Sequence, residues 1–167
     1  MKITIVISSE GKNLELSKKI SEALGRHGAE VTTVNLLELS LPLYTSRSEA
    51  LHQAAALIAP LKETLAVDGF VFLAPEYNGS APPVFSNFIA WVSRSTKNWR
   101  ETFNGKPALI GTYSAGHGSG VLTSMRLQLS YIGMNVLGRQ VQTGLHKEVD
   151  PAYLEATCAE LLRLAGK

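Results

Sequence analysis

Three short strings carry the residue types from which a ligand site is built. The first, Ser8-Ser9-Glu10-Gly11-Lys12-Asn13, places small hydroxyls and a run of backbone amides between an apolar run and a helical pattern. Such a turn forms either an anion cradle at a helix N-terminus, suited to a phosphate, or an ordinary strand-to-helix turn capped by Asn13. Glu10 opposes an anion unless its side chain points away, and Lys12 offsets that charge. The second string, Pro75-Glu76-Tyr77-Asn78-Gly79-Ser80-Ala81-Pro82-Pro83, is dense in turn formers that fix the backbone, with Tyr77 and Asn78 displayed on it. A planar ligand suits that surface: backbone groups and Asn78 would hydrogen-bond a polar ring edge, and Tyr77 would touch the ring or close the site at a subunit boundary. The plain alternative is a rigid connector with a surface tyrosine.

The third string, Ser114-Ala115-Gly116-His117-Gly118-Ser119-Gly120, lacks bulky side chains just after a strand pattern, so a ligand can approach its main chain closely. His117 either meets a ring or a phosphate, or is exposed with no special role. Its alternating glycines mimic a dinucleotide fingerprint, but no acidic residue lies between Gly120 and Glu148 to hold a ribose, which excludes that reading. Thr112-Tyr113-Ser114-Ala115-Gly116 also partly mimics a nucleophile elbow. A hydrolase of that kind needs serine, then acid, then histidine, and no histidine follows Glu148 or Asp150.

Positioning three loops at one edge requires a sheet. Short apolar runs alternate with longer stretches of helical period, the signature of a parallel sheet with crossover helices on both faces. Strands are expected at Ile3–Ile7, Val31–Val34, Gly69–Ala74, Ala108–Ser114 and near Val136–Val141. The second, with two threonines, suits an edge, and the third, almost wholly apolar, suits the centre. Helices are expected around Leu16, Ile20, Ala23 and Leu24, closing near Gly28; from Pro83 through Trp91; from Val121 to Ile132; and after the Asp150-Pro151 cap pair. Glu49–Ala66 is helical in composition but broken at Pro60, which predicts two short helices or a kink. The helix from Pro83 has an apolar face wide enough to cover both the sheet and a partner subunit. The fold class is therefore three-layer α/β/α with a five-stranded sheet in the order 2-1-3-4-5, and ligands bind where the winding reverses beyond strands one and three.

The chain's 167 residues, 45% hydrophobic, suit one domain with a proper core. A net charge of +2 with scattered lysines excludes a nucleic-acid footprint. The lone cysteine, Cys158, sits in a helical pattern with Leu154, Leu161 and Leu162 and reads as packing. Neither a signal-peptide core nor a run of membrane-spanning length is present, so the expected location is the cytoplasm, away from membranes.

At Pro75-Glu76-Tyr77-Asn78-Gly79-Ser80, followed by Pro82, Asn87 and Trp91, the sequence resembles the NADPH-dependent FMN reductase family, which includes quinone, azo-dye and chromate reductases. The resemblance extends from Gly105-Lys106-Pro107 through the glycine string to Tyr131-Ile132-Gly133 and covers nearly the whole chain. It implies a flavodoxin-like fold, FMN as cofactor, NADPH or NADH as co-substrate, a small-molecule electron acceptor, and a homodimer or homotetramer. By the same resemblance Ser8 and Asn13, with Gly11 and Lys12 between them, match a phosphate loop. Pro75, Glu76, Tyr77, Asn78 and Gly79 match the isoalloxazine loop; Ser114, Ala115, Gly116, His117 and Gly118 match the loop at the far side of the ring. The first loop is shorter than is usual in the family and closer in length to that of true flavodoxins. Ser86 and Ala90 stand where lysine and aspartate are usual. Glu10 and the short loop motivate a rival expectation, a binding or assembly module of the same fold that has lost its flavin. A single-electron carrier of the flavodoxin type is disfavoured by the chain's positive balance.

Overall fold

A computed structural model describes residues 1–166. The central sheet is parallel throughout. It is built from β1 (Lys2–Ile7), β2 (Glu30–Asn35), β3 (Gly69–Leu73), β4 (Pro107–Ser114), β5 (Asn135–Val136) and β6 (Val141–Gly144), in the order β2-β1-β3-β4-β5, with β6 also paired to β4. The five-position order read from the sequence holds. The fifth position differs in one respect: it is filled by two short strands rather than one. Asn135 and Val136 pair with Pro107 and Ala108, while Val141 to Gly144 pair with Gly111 to Ser114. Between them Leu137 turns its side chain into the core, and the chain rejoins the edge four residues later.

Both faces of the sheet are covered, so the central strands are buried at nearly every position rather than alternately, and β3 carries no polar side chain. Ile3, Ile5 and Ile7 of β1, with Val71, Leu73 and Leu109, pack under α1 (Lys12–Arg26) and α7 (Pro151–Ala165). Val6, Phe70, Phe72, Ala108 and Ile110 point the other way, beneath α5 (Pro83–Ser95) and α6 (Ser119–Tyr131). Each such fully buried aliphatic or phenyl side chain contributes about 1.5–3 kcal/mol of transfer free energy. Cys158 is buried in the first of these layers, and burial pushes its thiol pKa up to about 12. A glycine at 111 keeps β4 in place: a methyl there would lie 2.8 Å from Leu73 Cδ2 and 3.1 Å from the Val141 carbonyl.

The stretch after β2 is more divided than its composition predicts. It runs α2 (Ser46–Leu51), α3 (Ala54–Ile58), a 3-10 turn at Ala59–Leu61 and α4 (Lys62–Leu65). Pro60 sits in the 3-10 turn, as its missing N–H requires. The additional break at His52 follows a capping box at Thr45 and Ser48, which gives α2 its own start.

Candidate functional site

The chain-reversal point lies between β1 and β3, and the loops leaving β1, β3 and β4 emerge side by side at their carboxyl ends. In the first, Ser8 remains in the ladder, its N–H donating to the Leu73 carbonyl at 2.9 Å. Gly11 then turns the chain with φ +67°, a conformation that favours glycine, and α1 begins without any side-chain cap. The Ser8 hydroxyl is buried and has no hydrogen-bond partner. An uncapped helix start beside an orphaned hydroxyl is an arrangement that an anion completes. Lys12 is exposed and engaged by Glu15 at 2.8 Å, a contact that raises the lysine pKa, and the Glu10 carboxylate is exposed.

Asn13 does something else. Its amide is a two-way clip on β4: the Tyr113 N–H donates to Asn13 Oδ1 at 2.8 Å, and Asn13 Nδ2 donates to the Tyr113 carbonyl at 3.1 Å and to Ser9 Oγ at 3.3 Å. A buried amide so occupied fixes the first loop to the third and is already satisfied.

In the second loop, Tyr77 and Ser80 exchange both backbone hydrogen bonds, at 2.9 and 3.0 Å, around Asn78 and Gly79. Both tip residues have positive φ, 52° and 77°, as a two-residue type I′ hairpin turn requires, and Asn-Gly is the pair that tolerates it. Pro75 leads into this hairpin, and Tyr77 projects from it half exposed. Glu76 reaches across to α6, whose own start, Gly118, offers no side-chain cap. Its Oε2 accepts from the Gly120 N–H at 2.8 Å and the Val121 N–H at 3.1 Å, so a carboxylate satisfies the positive end of that helix. Ser124 Oγ accepts from the Ala81 N–H at 3.0 Å, a second tie between the same two elements.

The third loop is shaped by close approach. Gly118 has φ +68°, and a methyl on it would strike Thr112 Cγ2 at 2.6 Å; one on Gly120 would lie 2.3 Å from the Gly79 carbonyl oxygen. Ser114 is buried, Ala115 and Gly116 are exposed, and nothing stands within 4 Å of where a Gly116 side chain would begin. The His117 ring is exposed, while its carbonyl accepts from Gln142 Nε2. Thr112 Oγ1 is buried without a partner beneath this loop.

The three sequence strings therefore converge, joined through Asn13 to Tyr113, Glu76 to Gly120 and Val121, and Gly79 against Gly120. Two of the side chains, those of Asn13 and Glu76, are spent on this joinery, which leaves the main chain, the Ser8 hydroxyl and the exposed side chains of Tyr77, Asn78 and His117 presented. Tyr113, Ser124 and Gln142 belong to the scaffold of the site but carry no signal in the sequence. Asn87 and Trp91 lie elsewhere: Tyr44 N–H donates to Asn87 Oδ1 at 2.7 Å, and Trp91 Nε1 donates to the Pro42 carbonyl at 2.6 Å. They strap the Pro42–Tyr44 segment onto α5. Among the described residues no cluster of histidine, cysteine or carboxylate groups could hold a metal, and no helix is long and apolar enough to cross a membrane.

Comparison with known proteins agrees with this layout. The chain is 35% identical over 101 residues to an NAD(P)H-dependent FMN reductase of Pseudomonas aeruginosa, covering 60% of this chain and 52% of that protein. It is 29% identical over 128 residues to a 2-hydroxy-1,4-benzoquinone reductase of a Burkholderia species, covering 74% and 67%. These matches thus span from about half to two thirds of the relatives' lengths. Among solved structures, the flavoenzyme NAD(P)H:(acceptor) oxidoreductase FerB of Paracoccus denitrificans superposes with a TM-score of 0.77 at 20% identity, over 99% of this chain and 97% of that one. That likeness shows a flavodoxin-like fold. The model of the NADPH-dependent FMN reductase family matches residues 1–147, and with it the chain takes its place as a member of that family.

Proposed function

We propose that this protein is an FMN-dependent NAD(P)H oxidoreductase that passes electrons from a reduced nicotinamide to a small acceptor such as a flavin, a quinone, an azo compound or a metal ion. The observation that carries the reading is the partnerless Ser8 hydroxyl beside the uncapped start of α1, at the point where three interlocked loops meet. Bound FMN would supply the redox chemistry, taking up hydride and releasing electrons singly or in pairs. The chain's work is to bind and orient. Ser8 and the amides from Ser9 to Lys12 would hold the phosphate, with the α1 dipole favouring its charge. Backbone groups from Pro75 to Gly79 would receive the polar ring edge. The main chain from Ser114 to Gly118 would flank the other side, with Gly116 leaving space for a stacked partner. No side chain has to donate or remove a proton, so positioning is the protein's contribution.

The outer face of α6 supports a homodimer. Leu127 and Tyr131 stand one turn apart at 73% and 79% exposure, on a helix whose only charged residue is Arg126. The exposed carboxylate of Glu10 favours the second reading, a flavin-free binding module. Titrating the purified protein with FMN and with riboflavin separates the two. The reductase reading expects tight FMN binding, weakened on the order of tenfold in Ser8→Ala, with riboflavin indifferent to that change. Absence of an FMN signal leaves the module.

A further inference from the structure

The Gly105-Lys106-Pro107 string lies at the amino end of β4, the opposite edge of the sheet from the flavin loops, and the proposed redox site makes no use of it. Lys106 is half-buried there, lining a hollow of about 510 Å³ between α3, α4, the last turn of α5 and the segment from Thr96 to Thr102. That volume is in the range of small-ligand pockets, about 300–1,000 Å³. Ala55, Ile58, Ala59, Leu65 and Val92 make its apolar lining, to which no aromatic ring contributes. Lys106 Nζ lies 5.6 Å from the centre of the Phe70 ring and makes one long hydrogen bond, donating to the Leu65 carbonyl at 3.5 Å. Among the described residues no carboxylate forms an ion pair with it. Burial draws its pKa below the ordinary lysine value, and the charge of Asp68 only partly opposes this, its carboxylate being engaged by the Lys2 N–H at 2.7 Å.

We infer that this hollow binds an aliphatic monocarboxylate, its acid head on Lys106 Nζ and its chain along Ala55, Ile58, Ala59, Leu65 and Val92. The inference stands apart from the reductase reading, since the hollow shares no residue with the three loops. An ammonium has three donors, and the one long bond to Leu65 leaves the others for charge-assisted hydrogen bonds to a carboxylate. The surroundings attract an anion: Lys62 stands at the rim, and the wall from Thr96 to Thr102 carries Lys97 and Arg100 against Glu101 alone. They also limit its charge. Lys106 is the single half-buried cation, and α5 ends at the hollow with the partly negative carbonyl end of its dipole, so one negative charge is matched and a phosphate dianion is not. A lining of small and branched aliphatic side chains, without a ring to stack on, suits a flexible chain better than a flat aromatic acid.

The test compares octanoate, 1-octanol and octyl phosphate by calorimetry and thermal melting of the full chain, in the parent protein and in Lys106→Met and Ala55→Leu. Lys106→Met keeps an unbranched stem and the backbone bonds on either side, from the Lys106 N–H to the Phe103 carbonyl and from the Asn135 N–H to the Lys106 carbonyl. Ala55→Leu adds bulk to the hollow from an exposed position of α3, with a residue that helices accept. Ligand-free melts report whether each variant folds. Octanoate should raise the parent's Tm and bind on the order of tenfold more tightly than octanol. Lys106→Met should erase that difference while octanol changes by less than about twofold, and Ala55→Leu should weaken both. One readout needs no variant: octanoate should shield Lys106 of the parent from reductive methylation, read by peptide mass spectrometry, while the exposed Lys18 reacts as before. Absence of octanoate binding, octyl phosphate bound more tightly than octanoate, equal losses of octanoate and octanol in Lys106→Met, or an unshielded Lys106 would each overturn the assignment.

Discussion

Replacing glycine by alanine inside a helix ordinarily stabilises it, by up to about 1 kcal/mol. Two glycines here should respond with opposite signs. Gly25 lies in the last turns of α1 with nothing within 4 Å of where its methyl would go, so Gly25→Ala should gain most of that amount. Gly120, second residue of α6, faces the hairpin: its methyl would sit 2.3 Å from the Gly79 oxygen, 2.8 Å from the Gly79 carbonyl carbon and 2.9 Å from its Cα. The shortest of these lies more than 1 Å inside the optimal separation of about 3.5 Å. The obstruction is backbone, and it cannot swing aside because the Tyr77–Ser80 bonds, the positive φ of Asn78 and Gly79 and the Glu76 carboxylate all hold it. Overpacking of this kind costs about 1–3 kcal/mol, enough to outweigh the helical gain. A domain of this length shifts by about 2–4 °C per kcal/mol. Calorimetric melts should therefore show Gly25→Ala raised by a few degrees and Gly120→Ala lowered by a few, the latter with weaker FMN binding. A Gly120→Ala protein at least as stable as the parent would refute the proposed contact between hairpin and helix.

Other expectations follow from the same joinery. Glu76→Ala removes the side-chain acceptor at the start of α6 and should cost about 1–3 kcal/mol, read as a lower urea midpoint, with Glu76→Gln losing less. Asn13→Ala strands both the N–H and the carbonyl of Tyr113 and should destabilise by about 1–3 kcal/mol; unchanged melting would mean that the clip carries no weight. Cys158 should resist aromatic disulfide reagents in the native protein at pH 8 and react once unfolded, since burial pushes its pKa from 9.0 up to about 12. Because the folded value is the higher one, its stabilising contribution is complete below about pH 9 and is lost as the pH climbs towards about 12. Leu127→Glu should shift sedimentation towards a monomer without altering the FMN site; an unchanged species would remove α6 from the interface.

How far the sequence spoke depended on whether a signal was local. Strands buried on both faces, such as Phe70 to Leu73, announce themselves by composition, and the carboxyl-edge rule then places Ser8, Pro75 and Ser114 together. The Asn78-Gly79 pair is equally local, and it forms the turn its residue types demand. The split of the last sheet position into β5 and β6 has no such mark, because Leu137, Gly138 and the polar residues after them read the same in one long strand as in two short ones. Side-chain roles set by distant partners were the least legible. In the sequence Asn13 reads as a cap or a phosphate ligand, yet its partner is the main chain of Tyr113, 100 residues away. Glu76 falls by resemblance in the isoalloxazine loop, yet its hydrogen bonds go to a helix that lacks a cap of its own. In both cases the residue belongs to the site region by sequence and acts on it by holding loops in place.

Anaerobic titration of the FMN-loaded protein with NADPH bears most directly on the whole account. Retained flavin whose visible absorption band bleaches in step with added NADPH, and returns when a quinone is admitted, is the predicted result. A protein that releases its flavin on gel filtration, or holds it and leaves the band untouched by the nicotinamide, would contradict the claim that these three loops form a reductase site.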